Sequence, residues 1–281
     1  MARLGHEVVG IDSDATKVDS LNAGRVAFHE PGLDEALRES LSNGSAKFQT
    51  SFDIPEPPDL VFICVGTPQT GSGKSADISF VFSAGESLAK VIAPETVVVG
   101  KSTVPVGTAT ALRDRMSAVA GFPVHLAWNP EFLREGTALE DSLNPDRIVI
   151  GSWDDFSSQK LKEVYKPILD RGTPFVEVDV PTAELVKVAA NAFLATKVSF
   201  INAMAEIAEV SGADAVELAK AIGYDDRIGN KFLRNGIGFV VGVCPKTSGA
   251  LLPEQKNLEL VRPLAFSKTS IQSTSAEEQE S

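Results

Sequence analysis

Cysteine is nearly absent: Cys64 and Cys244 are the two in 281 residues. Two thiols do not make a disulfide framework, which excludes the cysteine-stapled secreted scaffolds. Cys64, inside an apolar run, reads as packing. Basic charge is the second shortage, with 26 Lys and Arg against 38 Asp and Glu, a net charge of -12 and a pI near 4.8. Such a surface repels nucleic acid and anionic membranes, so neither is expected as a partner, although a local basic pocket for an anionic ligand is compatible with it. No stretch reads as a signal peptide and no apolar run reaches bilayer-spanning length, so the cytoplasm is the expected compartment. No G-x-G-x-x-G turn precedes the first strand, and the lysine of GSGKSAD has the wrong spacing for a nucleotide-triphosphate loop. No metal-ligand set is assigned.

Apolar residues make up 43% and charged residues 23%, the proportions of an ordinary globular protein. ARLG reads as the end of a helix, and Glu7 to Ile11 as a strand that closes on Asp12. An acidic residue ending a strand is the feature that holds an adenosine ribose in a dinucleotide fold, although the same residue also reads as a helix cap. Lys17 lies near enough to meet a cofactor phosphate or ribose. A short helix ends at Gly24, and an amphipathic one follows HEPG. DLVFICVGTPQ is a continuous apolar run that suits a buried parallel strand, and TVVVGKSTVPVGT, Val124 to Trp128 and RIVIG follow as further strands. A helix is predicted from about Ser79 to Val91, another over FSSQKLKEVYKPIL, and a strand over TPFVEVDV. Alternating strands and helices predict an α/β fold, a doubly wound, parallel, Rossmann-like sheet. Asp12, Thr67, Thr103 and Glu131 all fall at carboxyl ends of strands, where such sheets bind ligands.

From Pro181 to Ser211 no glycine or proline intervenes, and Pro181 suits the first turn of a helix. Its circumference is largely apolar, so it should be covered on several sides. Lys187 and Asn191 sit one turn apart on one face, with Asn202 and Glu206 roughly continuing the stripe. GADAVELAKAIG is a short helix, and the basic segment DDRIGNKFLRNGIGF offers Arg227, Lys231 and Arg234 either to phosphates or to solvent.

These strings resemble the UDP-glucose/GDP-mannose 6-dehydrogenase family. GHEVVGIDSDATKVDSLNAG, HEPGLDEAL, VFICVGTPQ, KSTVPVGT, NPEFLREGTALED, PDRIVIG, ELVKVAANAFLATKVSFINAMAEIAE and DDRIGNKFLRNGIGF run in the family's order as far as Phe239. The resemblance implies two successive NAD-dependent oxidations of a sugar C6 alcohol, UDP-glucose being the commonest substrate. It implies that Asp12 and Lys17 hold the adenosine side of NAD, and that Thr67, Thr103 and Glu135 line the nicotinamide path. Glu131 would be the acid/base residue, with Lys187 and Asn191 at the reacting end of the sugar. Phe132 and Leu133 would cradle the nucleotide sugar, Phe232 and Phe239 belong to the substrate loop, and Arg227 would reach a neighbouring subunit. The long helix would be the core of a homodimer. A hydroxyacid dehydrogenase resembles the Lys-x-x-x-Asn helix as well, but oxidises once and needs no cysteine. A non-catalytic remnant that only dimerises is the third reading.

The departures are specific. Where the family reads Gly-Phe-Gly-Gly-x-Cys-x-Pro-Lys-Asp, this chain has Gly238, Phe239, Val240, Val241, Gly242, Val243, Cys244, Pro245, Lys246 and Thr247. Valine stands at the nucleophile's place and the cysteine falls one position late. Back-translation of Val240 to Thr247 permits a coding sequence that, with one base restored after Phe239, reads Gly-Gly-Gly-Cys-Leu-Pro-Lys-Asp. A one-base frameshift is therefore expected there. The tail ending FSKTSIQSTSAEEQES is rich in Ser, Thr, Glu and Gln and is expected to be disordered. The resemblance also implies that a first strand with its glycine turn and a carboxyl-terminal domain are missing. The expected division is residues 1–180 for an NAD-binding domain, 181–239 for a helical dimerisation and substrate segment, and 240–281 for an aberrant tail.

Overall fold

The computed structural model describes residues 1–70, 76–234 and 236, so Phe239, Val243, Cys244, the region 240–281 and most of the GSGKSAD loop lie outside the described residues. A 3-10 turn, Ala2–Leu4, leads to β1 (Val8–Ile11), α1 (Ala15–Asn22), α2 (Leu33–Ser42) and β2 (Ala46–Gln49). Then come β3 (Leu60–Ile63), α3 (Ser79–Leu88), β4 (Val97–Gly100), α4 (Thr108–Ala120), β5 (His125–Trp128), α5 (Ala138–Leu143) and β6 (Ile148–Ser152). The chain continues through α6 (Asp155–Leu169), β7 (Phe175–Val178), α7 (Val180–Ser211) and α8 (Ala215–Gly223).

Local chemistry sets the helix boundaries. Asp14, Asp154, Asp179 and Asp214 each accept backbone N–H bonds at the start of α1, α6, α7 and α8, satisfying donors that a helix end leaves orphaned. Gly212 closes α7 in the left-handed conformation at φ 75°. Between its caps α7 runs for 32 residues, about 48 Å.

Among the described residues the strands form two sheets, β1-β2 and β3-β4-β5-β6-β7. β2 was not among the expected strands; its AKFQ sequence pairs in parallel with β1, Val8 opposite Ala46 and Gly10 opposite Phe48. The other edge of β1 and the open edge of β3 both border one cavity, through Val8 on one side and Phe62 and Cys64 on the other. Cys64, read from sequence as packing, faces that cavity instead, and the walls around it push its thiol pKa up through desolvation.

The second sheet departs from a purely parallel one. β3, β4 and β5 are parallel, but β6 runs antiparallel to β5 and meets it only at Ala127–Ser152 and Trp128–Gly151. The segment after β5, with the six-residue α5, leads β6 in from the carboxyl end of β5, where Trp128 pairs with Gly151. β7 then pairs in parallel with β6, Val178 beside Gly151, and delivers the start of α7 to the same end.

Val97, Val98 and Val99 of β4 are fully buried, as a central parallel strand requires. Trp128 lies across Gly100, where a Cβ would come within 2.1 Å of the indole. α7 corrects the expectation about apolar runs: by length and composition it suffices to cross a membrane, with a mean hydropathy of 1.3 and 11% of that window buried. Its first turns pack on the sheet through Val180, Ala183 and Val188, whereas Phe193, Phe200, Ile207 and Val210 are exposed.

Candidate active site

The loop that follows β5 carries the central side chain. Trp128 ends the strand, and Asn129 beyond it is buried at 2% exposure. Asn129 donates to the Val149 carbonyl at 2.8 Å and accepts from Tyr165 Oη at 2.6 Å and Lys101 Nζ at 2.9 Å. These bonds tie the end of β5 to β6, α6 and the loop after β4, so Glu131, two residues on, leaves a fixed platform. One oxygen of Glu131 accepts from the Leu133 amide at 2.6 Å. The other meets Lys187 Nζ at 3.1 Å.

Lys187 projects from the second turn of α7 and is 8% exposed, so its ammonium is held by the pair and not by bulk water. It also stands 5.6 Å from the centre of the Phe132 ring, against which the Arg147 guanidinium lies at 3.9 Å. Asn191, one turn on, borders the same cavity as Lys187, Glu131, Phe132, Leu133 and Phe232. Its volume is about 1210 Å³, enough for a large ligand. Phe232 borders it with a backbone φ of 63°, a conformation rare for an aromatic residue.

The remainder of the loop is pinned by charge. Arg134 binds Asp141 through its backbone amide at 2.8 Å and through its guanidinium, which holds the Asp141 carboxyl down to about 2. Glu30, from the HEPG segment, accepts from the Gly136 amide at 3.0 Å. The loop therefore has little freedom to move Glu131.

At the other strand ends, Thr67 donates its hydroxyl to the Thr103 carbonyl at 2.9 Å, joining the loops after β3 and β4. Asp12 follows β1 and is paired with Lys17, whose ammonium holds the Asp12 carboxyl below the usual range. The structure thus brings Glu131, Lys187, Asn191, Phe132, Leu133 and Phe232 onto one cavity, with Lys17 on its wall. Glu135 points to solvent, and Arg227 is 89% exposed in its side chain and paired with Asp225, two residues away. Neither borders the cavity. Phe239 lies outside the described residues.

Sequence reasoning missed Lys101, Asn129, Tyr165 and Arg147 as contributors. Asn129 carried a signal, standing between a strand end and Glu131; Tyr165, on a helix distant in sequence, carried none. Among the described residues no group of three or more His, Cys, Asp or Glu side chains is placed to hold a metal ion. Chemically, a carboxylate and an ammonium 3.1 Å apart in a cavity wall can accept a proton from an alcohol and steady the resulting charge.

A family model described as the UDP-glucose/GDP-mannose dehydrogenase family, NAD binding domain, matches residues 1–169, and that family's central-domain model matches residues 181–272. A UDP-glucose 6-dehydrogenase of Bacillus subtilis is 41% identical over 262 residues, covering 92% of this chain and 59% of its own length. One of Rickettsia felis is 40% identical over 252 residues, 89% of this chain and 56% of the relative. A solved UDP-glucose dehydrogenase from Pyrobaculum islandicum superposes with a TM-score of 0.81 at 41% identity, covering 89% of this chain and 58% of that one. The chain therefore spans less than two thirds of the length of these relatives.

Proposed function

The chain belongs to the UDP-glucose/GDP-mannose dehydrogenase family, and from that premise we propose that it binds a nucleotide sugar, of the UDP-glucose type, and oxidises its C6 alcohol. The observation that carries this reading is the Glu131–Lys187 pair on the cavity wall. NAD, the cofactor of the matched domain, supplies the hydride acceptor when bound. The residues present fit its two ends. Asp12 offers carboxylate oxygens beyond a strand end to the ribose hydroxyls, with Lys17 beside it, and the joined loops of Thr67 and Thr103 lie at the carboxyl ends of β3 and β4.

In this reading Lys187 donates to the C6 hydroxyl and stabilises the alkoxide electrostatically, while Glu131 takes the proton. Asn191 orients the same hydroxyl from one helical turn away. Phe132 and Phe232 give the sugar an apolar wall and exclude water. Glu131 takes the hydroxyl proton, and with the hydride acceptor that bound NAD would supply, the product would be an aldehyde. A second oxidation needs a thiolate to capture that aldehyde, and Val243 stands at the family's cysteine position. One oxidation is therefore the proposed limit of this chain.

Counting NADH formed per UDP-glucose by the purified chain tests this. At most one is expected, and Lys187→Ala should abolish it; two per sugar would overturn the reading of Val243. Association in sedimentation without NAD binding in a titration would favour the second reading, a dimerising remnant. That reading draws on the exposed apolar half of α7, where Val210 is 87% exposed. A second copy packed there, in the cytoplasm, is proposed for either case. Turnover of small hydroxyacids in place of UDP-sugars would point to the single-step dehydrogenases instead.

A further inference from the structure

Glu184 is the most deeply buried carboxylate on α7, at 2% exposure, and the chemistry proposed above leaves it without a task. A buried charge costs several kcal/mol unless it is well bonded. Its partners are unusual: Oε2 accepts from the Gly107 amide at 2.7 Å and Oε1 from the Ala109 amide at 2.7 Å. Those amides are the orphan donors at the start of α4. Gly107, the residue at the cap position, has no side chain to satisfy them, and its φ of 96° suits glycine. A different helix therefore caps α4, with both oxygens engaged and the positive end of the α4 dipole beneath them. Burial pushes the Glu184 pKa up, and the amides of Ala109, Gly107 and Thr108 pull it back.

The consequence lies in what each end of this clasp holds. The segment Lys101–Gly107 joins β4 to α4. Near its start, Ser102 donates to the Val65 carbonyl at 2.7 Å and Thr103 accepts from Thr67. At its end it is gripped by Glu184. One turn further along α7 is Lys187, bonded to Glu131. We propose that Glu184 is a positioning residue: by clasping the start of α4 it fixes the loop bearing Thr103 and the lysine that pairs with Glu131 in one rigid relation. The importance given to Lys187 rests on the functional reading above; the clasp itself does not.

The test uses the full chain without cofactor or sugar. Lysine labelling at Lys187, read by mass spectrometry, and amide hydrogen exchange at residues 105–112 are compared in wild type, Glu184→Gln, Glu184→Ala and Asp179→Ala. The Asp179 side chain caps α7 through the Thr182 amide at 2.7 Å, a bond that does not involve the β4–α4 loop, so it controls for a loosened helix start. Glutamine places an NH2 against amide donors, and alanine leaves those donors unsatisfied. Both Glu184 variants should raise Lys187 labelling severalfold and exchange at Gly107 and Ala109 by about tenfold or more, with Asp179→Ala altering neither beyond about twofold. Labelling unchanged in the Glu184 variants, or raised equally by Asp179→Ala, overturns the proposal. Should neither Glu184 variant fold, wild type in sub-denaturing urea decides. Lys187 labelling and Gly107 exchange must then rise together, and labelling that rises first overturns the clasp. Loss of turnover in Lys187→Ala with amide exchange at Gly107 and Ala109 unchanged separates the functional reading from this one.

Discussion

Gly151→Ala, on β6, should destabilise the chain more than Gly10→Ala, on β1. Gly151 pairs with Trp128 and Val178, and the first turn of α7 lies directly against it. A Cβ there would sit 2.7 Å from Val180 Cα, 2.8 Å from Ala183 Cβ and 2.9 Å from the Asp179 carbonyl oxygen. Carbon atoms rest at about 3.5–4.0 Å, so the helix start must retreat by roughly 0.8 Å. Two of the three obstacles are backbone, and no rotamer change relieves them. Overpacking of this kind costs about 1–3 kcal/mol. The comparison that tests the reasoning is Gly10→Ala, where the nearest atom is closer still, Phe48 Cδ1 at 2.5 Å. That atom belongs to a half-buried ring beside the cavity, which can turn aside for about 0.5–1.5 kcal/mol. Distance alone ranks Gly10 as the worse site; mobility of the obstacle ranks Gly151. Urea unfolding of both variants, at equal slope, gives the answer. The retreat would also stretch the bonds from Gly107 and Ala109 to Glu184, so labelling of Lys187 should rise in Gly151→Ala and not in Gly10→Ala. A loss under about 0.5 kcal/mol in Gly151→Ala, or a larger loss in Gly10→Ala, refutes the argument.

Three further outcomes are expected. Asp12→Ala should weaken NAD binding about tenfold or more in a calorimetric titration, through lost charged hydrogen bonds to ribose, while changing stability little. Asp141, held at about 2 in the folded chain and at 3.8 when free, favours folding above pH near 4, a contribution lost as pH falls through 2. Arg134 is well exposed, so the contribution is about 1–2 kcal/mol, and Asp141→Asn should flatten that part of the stability profile. Phe200→Glu, on the exposed face of α7, should turn the proposed dimer into a monomer in sedimentation without unfolding the chain.

Much of the frame was legible because it is written locally. Strand ends announce themselves where apolar runs stop, which placed Asp12, Thr67, Thr103 and Glu131, and α7 was plain from an uninterrupted helical composition after Pro181. What escaped depends on partners distant in sequence. AKFQ alternates apolar and polar, but over four residues only, too few to mark a strand, and it becomes β2 because β1 lies beside it. The reversal of β6 shows only in its pairing with the end of β5, because strand composition does not encode direction. Glu184 reads as one more helical glutamate until α4 supplies the amides that justify burying it. Arg227 was left open between a phosphate and solvent, and in the single chain Asp225, two positions back, takes its charge.

The length of α7 has a mechanical consequence. If Glu184 is the fulcrum, Lys187 lies about 4.5 Å from it along the axis and Val210 about 39 Å, a lever of roughly nine to one. A neighbour that displaced the far end by 2 Å would move Lys187 by only about 0.2 Å. The long arm is a vibration damper for the short one, so the far half of α7 is free to exchange partners, or to breathe with them, while the Glu131–Lys187 distance stays within hydrogen-bonding range.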